Sequence, residues 1–338
     1  MGQTTGIAWT DHTHNEWIGC QRVSPACGGA AGVGGCYAEV STPARVHRAR
    51  GLELWGPPKT TARHLTSEDN RRKPFAWDRA AKRDGVRRRV FCSSLSDVFE
   101  DHPSLDAWRA DLWRTVEACD GLDWQLLTKR PGNVRAMVPP AWLAPGGWPA
   151  HVWVGTTVED QKRADERIPH LLAVPARVRF LSCEPLLEAV DLREHLMGYV
   201  DDDVSGGRYV RLPHVTPYIH QDVKVSWVIV GGESGPGARP FDLAWARGIV
   251  AQCREAGVAC FVKQMGDNPV GGCGSNPCGN CTDGSCFKVK LKAHHGADPS
   301  EWPSDLQVQD FPEVRPVVDG YGDGMGPCSS CEGKGTRS

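Results

Sequence analysis

Short apolar runs recur along the chain, each followed by polar or glycine-rich residues and then by a stretch with helical spacing. The runs are Arg89–Ser93, Trp124–Thr128, Val152–Thr156, Val178–Ser182, Val225–Val230 and Ala259–Lys263. Helices are expected between them over Leu105–Ala118, Asp160–Leu172 and Leu243–Ala256. Continuous apolar strands are covered on both faces, and the alternation of β and α points to a parallel sheet, either open or closed as a barrel. In such folds the loops after the strands' C-terminal ends build the site.

Those ends read Ser93-Ser94-Leu95-Ser96-Asp97, Thr128-Lys129-Arg130-Pro131, Thr156-Thr157-Val158-Glu159-Asp160, Ser182-Cys183-Glu184-Pro185 and Gly231-Gly232-Glu233-Ser234-Gly235. Every end is polar and four carry a carboxylate. A carboxylate at the rim of an apolar barrel needs partners to offset its desolvation, so the row predicts a functional rim. Ordinary helix capping is the structural account of Asp97, Asp160 or Ser234.

Two stretches read as insertions. Residues 45–89 are rich in Arg and Lys, with Trp55, Phe75 and Trp77 interleaved and the run Asn70-Arg71-Arg72-Lys73. They could contact phosphate and stack bases, or form a solvated helical face. Residues Val200–Val223 are polar. After Gly266 the composition turns to Gly, Pro, Asp and Cys, which sets an expected boundary between a body at 1–266 and an extension at 267–338.

At 338 residues and 40% hydrophobic content the chain can bury one large core with a small appendage. A formal charge of -2 excludes a global basic field, so any nucleic-acid contact must be local. The chain has no long apolar run and opens without a basic-then-apolar leader, so a cytoplasmic protein with no membrane partner is expected.

Fourteen cysteines in such a chain point first to metal ligation. Cys20, Cys27 and Cys36 form a Gly-rich C-x6-C-x8-C loop. Three thiolates leave one iron of a four-iron cluster open to a chelating small molecule. Zinc held by three thiolates and His12 or His14 is the alternative. In the tail, Cys278-x2-Cys281 and Cys328-x2-Cys331 have the spacing of two zinc knuckles, with Cys273 and Cys286 as spare ligands or parts of a second iron–sulfur cluster. Cys183, beside Glu184 at a strand end, is a candidate reactive thiol.

The strings Ile7-Ala8-Trp9-Thr10-Asp11, Asn15-Glu16-Trp17-Ile18-Gly19-Cys20, Val23-Ser24-Pro25-Ala26-Cys27 and Cys36-Tyr37-Ala38-Glu39 resemble the opening of a bacteriophage and bacterial three-cysteine-motif family of uncharacterised function. Further matches run in order through Leu127–Pro131, Val154–Gln161, Glu184–Leu187, Gly231–Gly235 and Phe261–Gly266. That family looks like a radical S-adenosylmethionine group, distantly similar to spore photoproduct lyase. The chain departs from the family pattern in placing eight residues between Cys27 and Cys36.

The resemblance implies a partial (β/α) barrel of the radical S-adenosylmethionine type, related to the TIM barrel. It also implies a [4Fe-4S] cluster on Cys20, Cys27 and Cys36, S-adenosylmethionine as co-substrate, and a flavodoxin or ferredoxin as electron donor. By position at strand ends, Ser93, Ser94 and Asp97 are expected to hydrogen-bond the cofactor, Thr128, Lys129, Thr156 and Glu159 to bind cofactor or substrate, and Glu184 and Glu233, with Cys183, to be catalytic, with Ser234 a further cofactor-binding candidate on the substrate side. The substrate class expected is a nucleic-acid base or nucleotide, in phage DNA modification or repair. Two rivals stay open: a zinc-binding nucleic-acid or adaptor module without radical chemistry, and a barrel hydrolase using Glu159, Glu184 and Glu233 as acid and base.

Overall fold

The computed structural model describes residues 5–28, 36–197, 201–202, 208–210, 219–220, 224–271 and 287–313. Its centre is a seven-stranded sheet: β1 (His12–His14), β2 (Arg88–Cys92), β3 (Leu122–Thr128), β4 (Val152–Thr157), β5 (Arg179–Cys183), β6 (Trp227–Gly231) and β7 (Ala259–Gln264). All six pairings are parallel and follow chain order, and β1 does not pair with β7. Sequential parallel strands joined by crossovers put the long helices on one face, and the twist curls the sheet into a half-barrel.

The covering helices are α1 (Glu68–Asp84), α2 (Leu105–Ala118), α3 (Gln161–Leu172) and α4 (Leu243–Ala256). The period-2 alternation of the strands sorts their side chains into two cores. On the convex side Val90, Cys92, Leu126, Val154, Leu181, Cys183, Val228 and Val262 pack against the helices. On the concave side Trp9, Phe91, Trp153, Phe180, Trp227 and Phe261 form a separate aromatic cluster.

Trp227 lies at the start of β6 with Trp9 at 6.2 Å, Phe180 at 5.9 Å, Phe261 at 6.1 Å and Phe311 at 5.5 Å between ring centroids. This plug fills the N-terminal end of the half-barrel, so a ligand has access from the strands' C-terminal ends.

The 45–89 stretch contains the crossover helix between β1 and β2, in keeping with the solvated helical face that is one of the two readings of its sequence. Ser67 caps α1 by accepting from Asn70 N, and Gly85 ends it in the left-handed conformation at φ 65°. Pro74, Trp77 and Ala81 face the sheet, and His12 of β1 stacks on Trp77 with centroids 4.3 Å apart. The charges occupy the outer face. Of the aromatic residues offered for base stacking, Trp55 and Trp77 are buried and Phe75 is exposed.

Beyond Gly266 the described chain stays on the half-barrel. Val262 N donates to Val308 O and Asp310 N to Cys260 O, so residues 308–310 run along the open edge of β7, and Trp302 and Leu306 enter the convex core. The expected second insertion is described at three short antiparallel strands, Asp201–Asp202, Arg208–Val210 and Ile219–His220. Among the described residues no helix is long and apolar enough to cross a membrane.

Candidate active site at the strand ends

The loop carrying Cys20 and Cys27 lies across the C-terminal rim of the half-barrel, and buried charged groups fix its backbone. After β3, Arg130 Nη2 donates to Gln21 O at 2.9 Å, and its Nη1 lies 2.8 Å from Asp97 Oδ2 and 3.6 Å from Cys20 Sγ. Glu100 Oε1 accepts from Gln21 N at 2.8 Å and is itself held by Arg63. After β4, Glu159 Oε1 accepts from Ala26 N at 3.3 Å while its Oε2 takes Arg167 Nη1 at 2.8 Å. After β6, Glu233 forms a two-pronged pair with Arg239 (2.9 and 2.7 Å), whose Nη1 donates to Pro25 O at 2.8 Å.

Asp97 gathers four donors. It accepts from Thr128 Oγ1, Phe99 N, Lys129 N and Arg130 Nη1. Burial alone would push its carboxyl up, but Arg130 and these hydrogen bonds outweigh it and hold the group below its ordinary value. Arg130 loses solvation too, yet Asp97, Cys20 and Glu100 hold its pKa above the ordinary guanidinium value.

Cys20, Cys27 and Cys36 are free thiols. Burial pushes the Cys20 thiol up, against the pull of Arg130. Burial likewise raises Cys36, against the pull of nearby Lys129 and a backbone hydrogen bond at Glu39. The adjacent cations at the end of β3 thus serve two different thiols. Among the described residues no three His, Cys, Asp or Glu side chains are gathered as a metal site, and residues 29–35, between Cys27 and Cys36, lie outside the description. The donor chemistry still fits a soft metal centre. Half-buried thiols beside Lys129 and Arg130 stay neutral alone but deprotonate when a metal replaces the proton.

The other candidates divide by role. Ser93 Oγ sits 2.6 Å from Asn15 Oδ1 and 2.5 Å from Ser96 Oγ, and Thr156 Oγ1 donates to Thr128 O at 2.9 Å. These hydroxyls, with that of Thr128 on Asp97, tie one strand end to the next. Ser94 Oγ accepts from Asn15 Nδ2 at 3.0 Å and is partly exposed. Asp160 caps α3 through Arg163 N at 2.8 Å, as capping alone predicted.

Partly exposed toward the mouth are Lys129, Glu184, Lys263 and Ser234. Lys263 Nζ lies 3.0 Å from Glu184 Oε1, and Ser182 Oγ donates to Glu184 Oε2 at 3.3 Å. Cys183 does not join this group. It points into the convex core with no exposed surface, and burial pushes its thiol well up, so the structure supplies no route for it to react at the mouth. Cys278, Cys281, Cys328 and Cys331, with Cys273 and Cys286, lie outside the described residues.

Sequence reading assigned no role to Asn15, Arg63, Glu100, Arg130, Arg167, Arg239 or Lys263. Charge balance was the available signal for the arginines, since carboxylates at an apolar rim call for guanidinium partners. Alternation along Ala259–Lys263, which puts Lys263 on the concave side with Phe261, was the signal for the lysine.

Comparison with known families adds one result. The model of a family described as a protein of unknown function, DUF5131, matches residues 4–296. The chain belongs to that family. No curated protein and no solved structure matches it. The match runs past Gly266 to the turn at His294–Gly296, in keeping with the packing of that segment on the half-barrel.

Proposed function

We propose that this member of the DUF5131 family is a radical S-adenosylmethionine enzyme whose cluster is held by Cys20, Cys27 and Cys36. The observation that carries the reading is the seating of the Cys20–Cys27 loop on the mouth of a parallel half-barrel by Arg130, Glu159 and Arg239. A structural zinc loop has no need to be anchored where a barrel's reactive end lies. The resemblance set out from the sequence agrees with this reading.

When bound, a [4Fe-4S] cluster and S-adenosylmethionine supply one-electron cleavage to a 5′-deoxyadenosyl radical, with a flavodoxin or ferredoxin as the electron source. The chain's own task is to position and to exclude water. Arg130 and Lys129 stabilise thiolates at Cys20 and Cys36. The aromatic plug around Trp227 closes the far end. Glu184 and Lys263 offer a carboxylate and an ammonium to the polar groups of a ligand entering the mouth, and Ser94 and Ser234 border it. The substrate class we assign is a nucleic-acid base or nucleotide, and zinc on Cys278, Cys281, Cys328 and Cys331 is the matching proposal for the tail.

Iron, sulfide and zinc are to be measured in protein purified without oxygen, beside a Cys20→Ala/Cys27→Ala/Cys36→Ala variant. About four irons per chain that vanish in the variant, followed by detection of 5′-deoxyadenosine on reduction with S-adenosylmethionine, is the expected result. Zinc alone at the N-terminal thiols, even after anaerobic reconstitution, replaces the enzyme with a binding module.

A further inference from the structure

Between Phe287 and Gly296 the chain reads Lys288-Val289-Lys290-Leu291-Lys292-Ala293-His294-His295, with five basic side chains and no acid. Its exposure alternates strictly. Lys288, Lys290, Lys292 and His294 are exposed, while Val289, Leu291 and Ala293 are half-buried, and Val289 and Leu291 pack on the convex core. The alternation sets the three lysines and His294 on the outer side of the segment, which leaves strand geometry after Lys288 and closes in the turn at His294–Gly296. Among the described residues no carboxylate forms an ion pair with Lys288, Lys290 or Lys292. Glu301, the acid nearest in contact, has its Oε2 on the backbone N–H groups of Lys292 and Ala293.

Both ends of the segment, Lys288 and His294–His295, line a cleft of roughly 500 Å³ together with Gly235–Ala238, Asp267 and Asn268. Asp267 is already engaged, accepting from Gly235 N at 2.5 Å and lying 2.7 Å from His295 Nδ1. Burial pushes its carboxyl up, but those two partners outweigh burial and hold it low. His295 adopts φ 60°, a left-handed conformation rare outside glycine, and the Asp267 contact fixes its ring at the cleft wall. The cleft opens on the turn between Glu233 and Arg239, whose guanidinium reaches the Cys27 segment.

Three exposed lysines that no carboxylate pairs among the described residues, set with two histidines around a cleft beside the barrel mouth, match the charge pattern of a phosphodiester chain. We infer that Lys288, Lys290 and Lys292, with His294 and His295, form a basic patch around this cleft that binds the phosphates of a single-stranded nucleic acid and holds it against the rim at Gly235–Ala238. The inference deepens the substrate class proposed above and places the contact away from the 45–89 stretch.

The test is fluorescence-anisotropy binding of a short labelled single-stranded oligonucleotide to the full chain as a function of salt. It compares wild type, Lys288→Glu/Lys290→Glu/Lys292→Glu, and Arg72→Glu/Arg79→Glu/Arg83→Glu on the outer face of α1. The strip variant is expected to bind at least about tenfold more weakly at low salt, with a log–log salt slope shallower by about 2, while the α1 variant follows wild type. Equal weakening in both variants, binding unaffected by the strip reversal, or capture by phosphatidylserine vesicles without oligonucleotide binding overturns the inference. Thermal melting of each variant at the wild-type temperature excludes misfolding as the cause. Because the assay requires no cluster, it can fail while the iron measurement succeeds, and the reverse.

Discussion

Arg130 links Asp97 to Cys20: its Nη1 is 2.8 Å from the carboxylate and 3.6 Å from the sulfur. One cation thus offsets a buried negative charge that is always present and stands ready beside a thiol that becomes negative on binding metal. Arg130→Met leaves Asp97 and Glu100 facing Cys20 without that cation, and a buried pair stripped of one partner costs about 3–5 kcal/mol. The variant is expected to melt lower and, when reconstituted, to retain less iron than wild type by elemental analysis. Unchanged iron and unchanged melting would separate Arg130 from the thiol loop.

The same carboxylate sets an acid limit. Because Asp97 is held below its ordinary value in the folded chain, the unfolded chain takes up its proton first as pH falls. Its contribution is fully present above about pH 5 and is lost progressively as pH drops through the unfolded value near 4 toward the lower folded one. Asp97→Asn should flatten this segment of the stability curve, read by denaturant unfolding at several acidic pH values. A slope identical to wild type rules Asp97 out as the responsible group.

How much of this was legible in the sequence depends on range. Six of the seven sheet strands announce themselves as apolar runs, since a strand buried on both faces carries its signal locally. β1 does not, because its sequence is His12-Thr13-His14: His12 is sheltered by stacking on Trp77, and His14 Nε2 sits 3.0 Å from Glu16 Oε2. α1 was read only as the alternative of a solvated helical face, because its basic outer face also suited a nucleic-acid contact, although Ser67 before it and Gly85 after it are ordinary cap signals. At the rim, the carboxylates Asp97, Glu159 and Glu233 could be named from their place after strands. Their partners Arg130, Arg167 and Arg239 lie only 33, 8 and 6 residues away, but in loops and at a helix face where no strand or helix period pairs them; the hold on Gln21, Ala26 and Pro25 spans 109, 133 and 214 residues, which no periodicity encodes.

Arg239 is the longest of those reaches, bridging Glu233 to the carbonyl of Pro25. Arg239→Ala removes both the tether and the cation facing a nearly buried carboxylate, at a cost of about 2–4 kcal/mol. Amide exchange measured by mass spectrometry should accelerate in peptides covering residues 21–28 more than in those covering α3. Uniform acceleration would show general destabilisation instead of release of the loop.

Cys183 supplies a negative control for any thiol chemistry at the mouth. Its side chain is enclosed by the convex core, so iodoacetamide should leave it unmodified in the folded chain and label it in denaturant. Cys183→Ser buries a hydroxyl in that apolar layer and should cost about 1–3 kcal/mol in denaturant unfolding while leaving iron content unchanged. Alkylation of native protein at Cys183 would contradict its placement.

The Gly231-Gly232-Glu233 triplet invites a cofactor-binding reading, but the backbone accounts for Gly232 without one. A Cβ built on Gly232 would lie 2.4 Å from Met265 O and 2.9 Å from its carbonyl carbon, and this neighbour is main chain that cannot rotate aside. The close approach is what lets Gly232 N donate to Gln264 O and Asp267 N to Glu233 O, which joins the ends of β6 and β7 directly beneath the cleft. Gly232→Ala must therefore push the two strand ends apart, a strain of about 1–3 kcal/mol by the cost of overpacking, and should lower the melting temperature by several degrees. The displacement reaches Glu233 and Asp267, so the variant should also weaken oligonucleotide binding at the Gly235–Ala238 cleft. Full stability in Gly232→Ala would mean that the β6 and β7 ends are not packed this closely, and the geometry of the cleft would have to be drawn again.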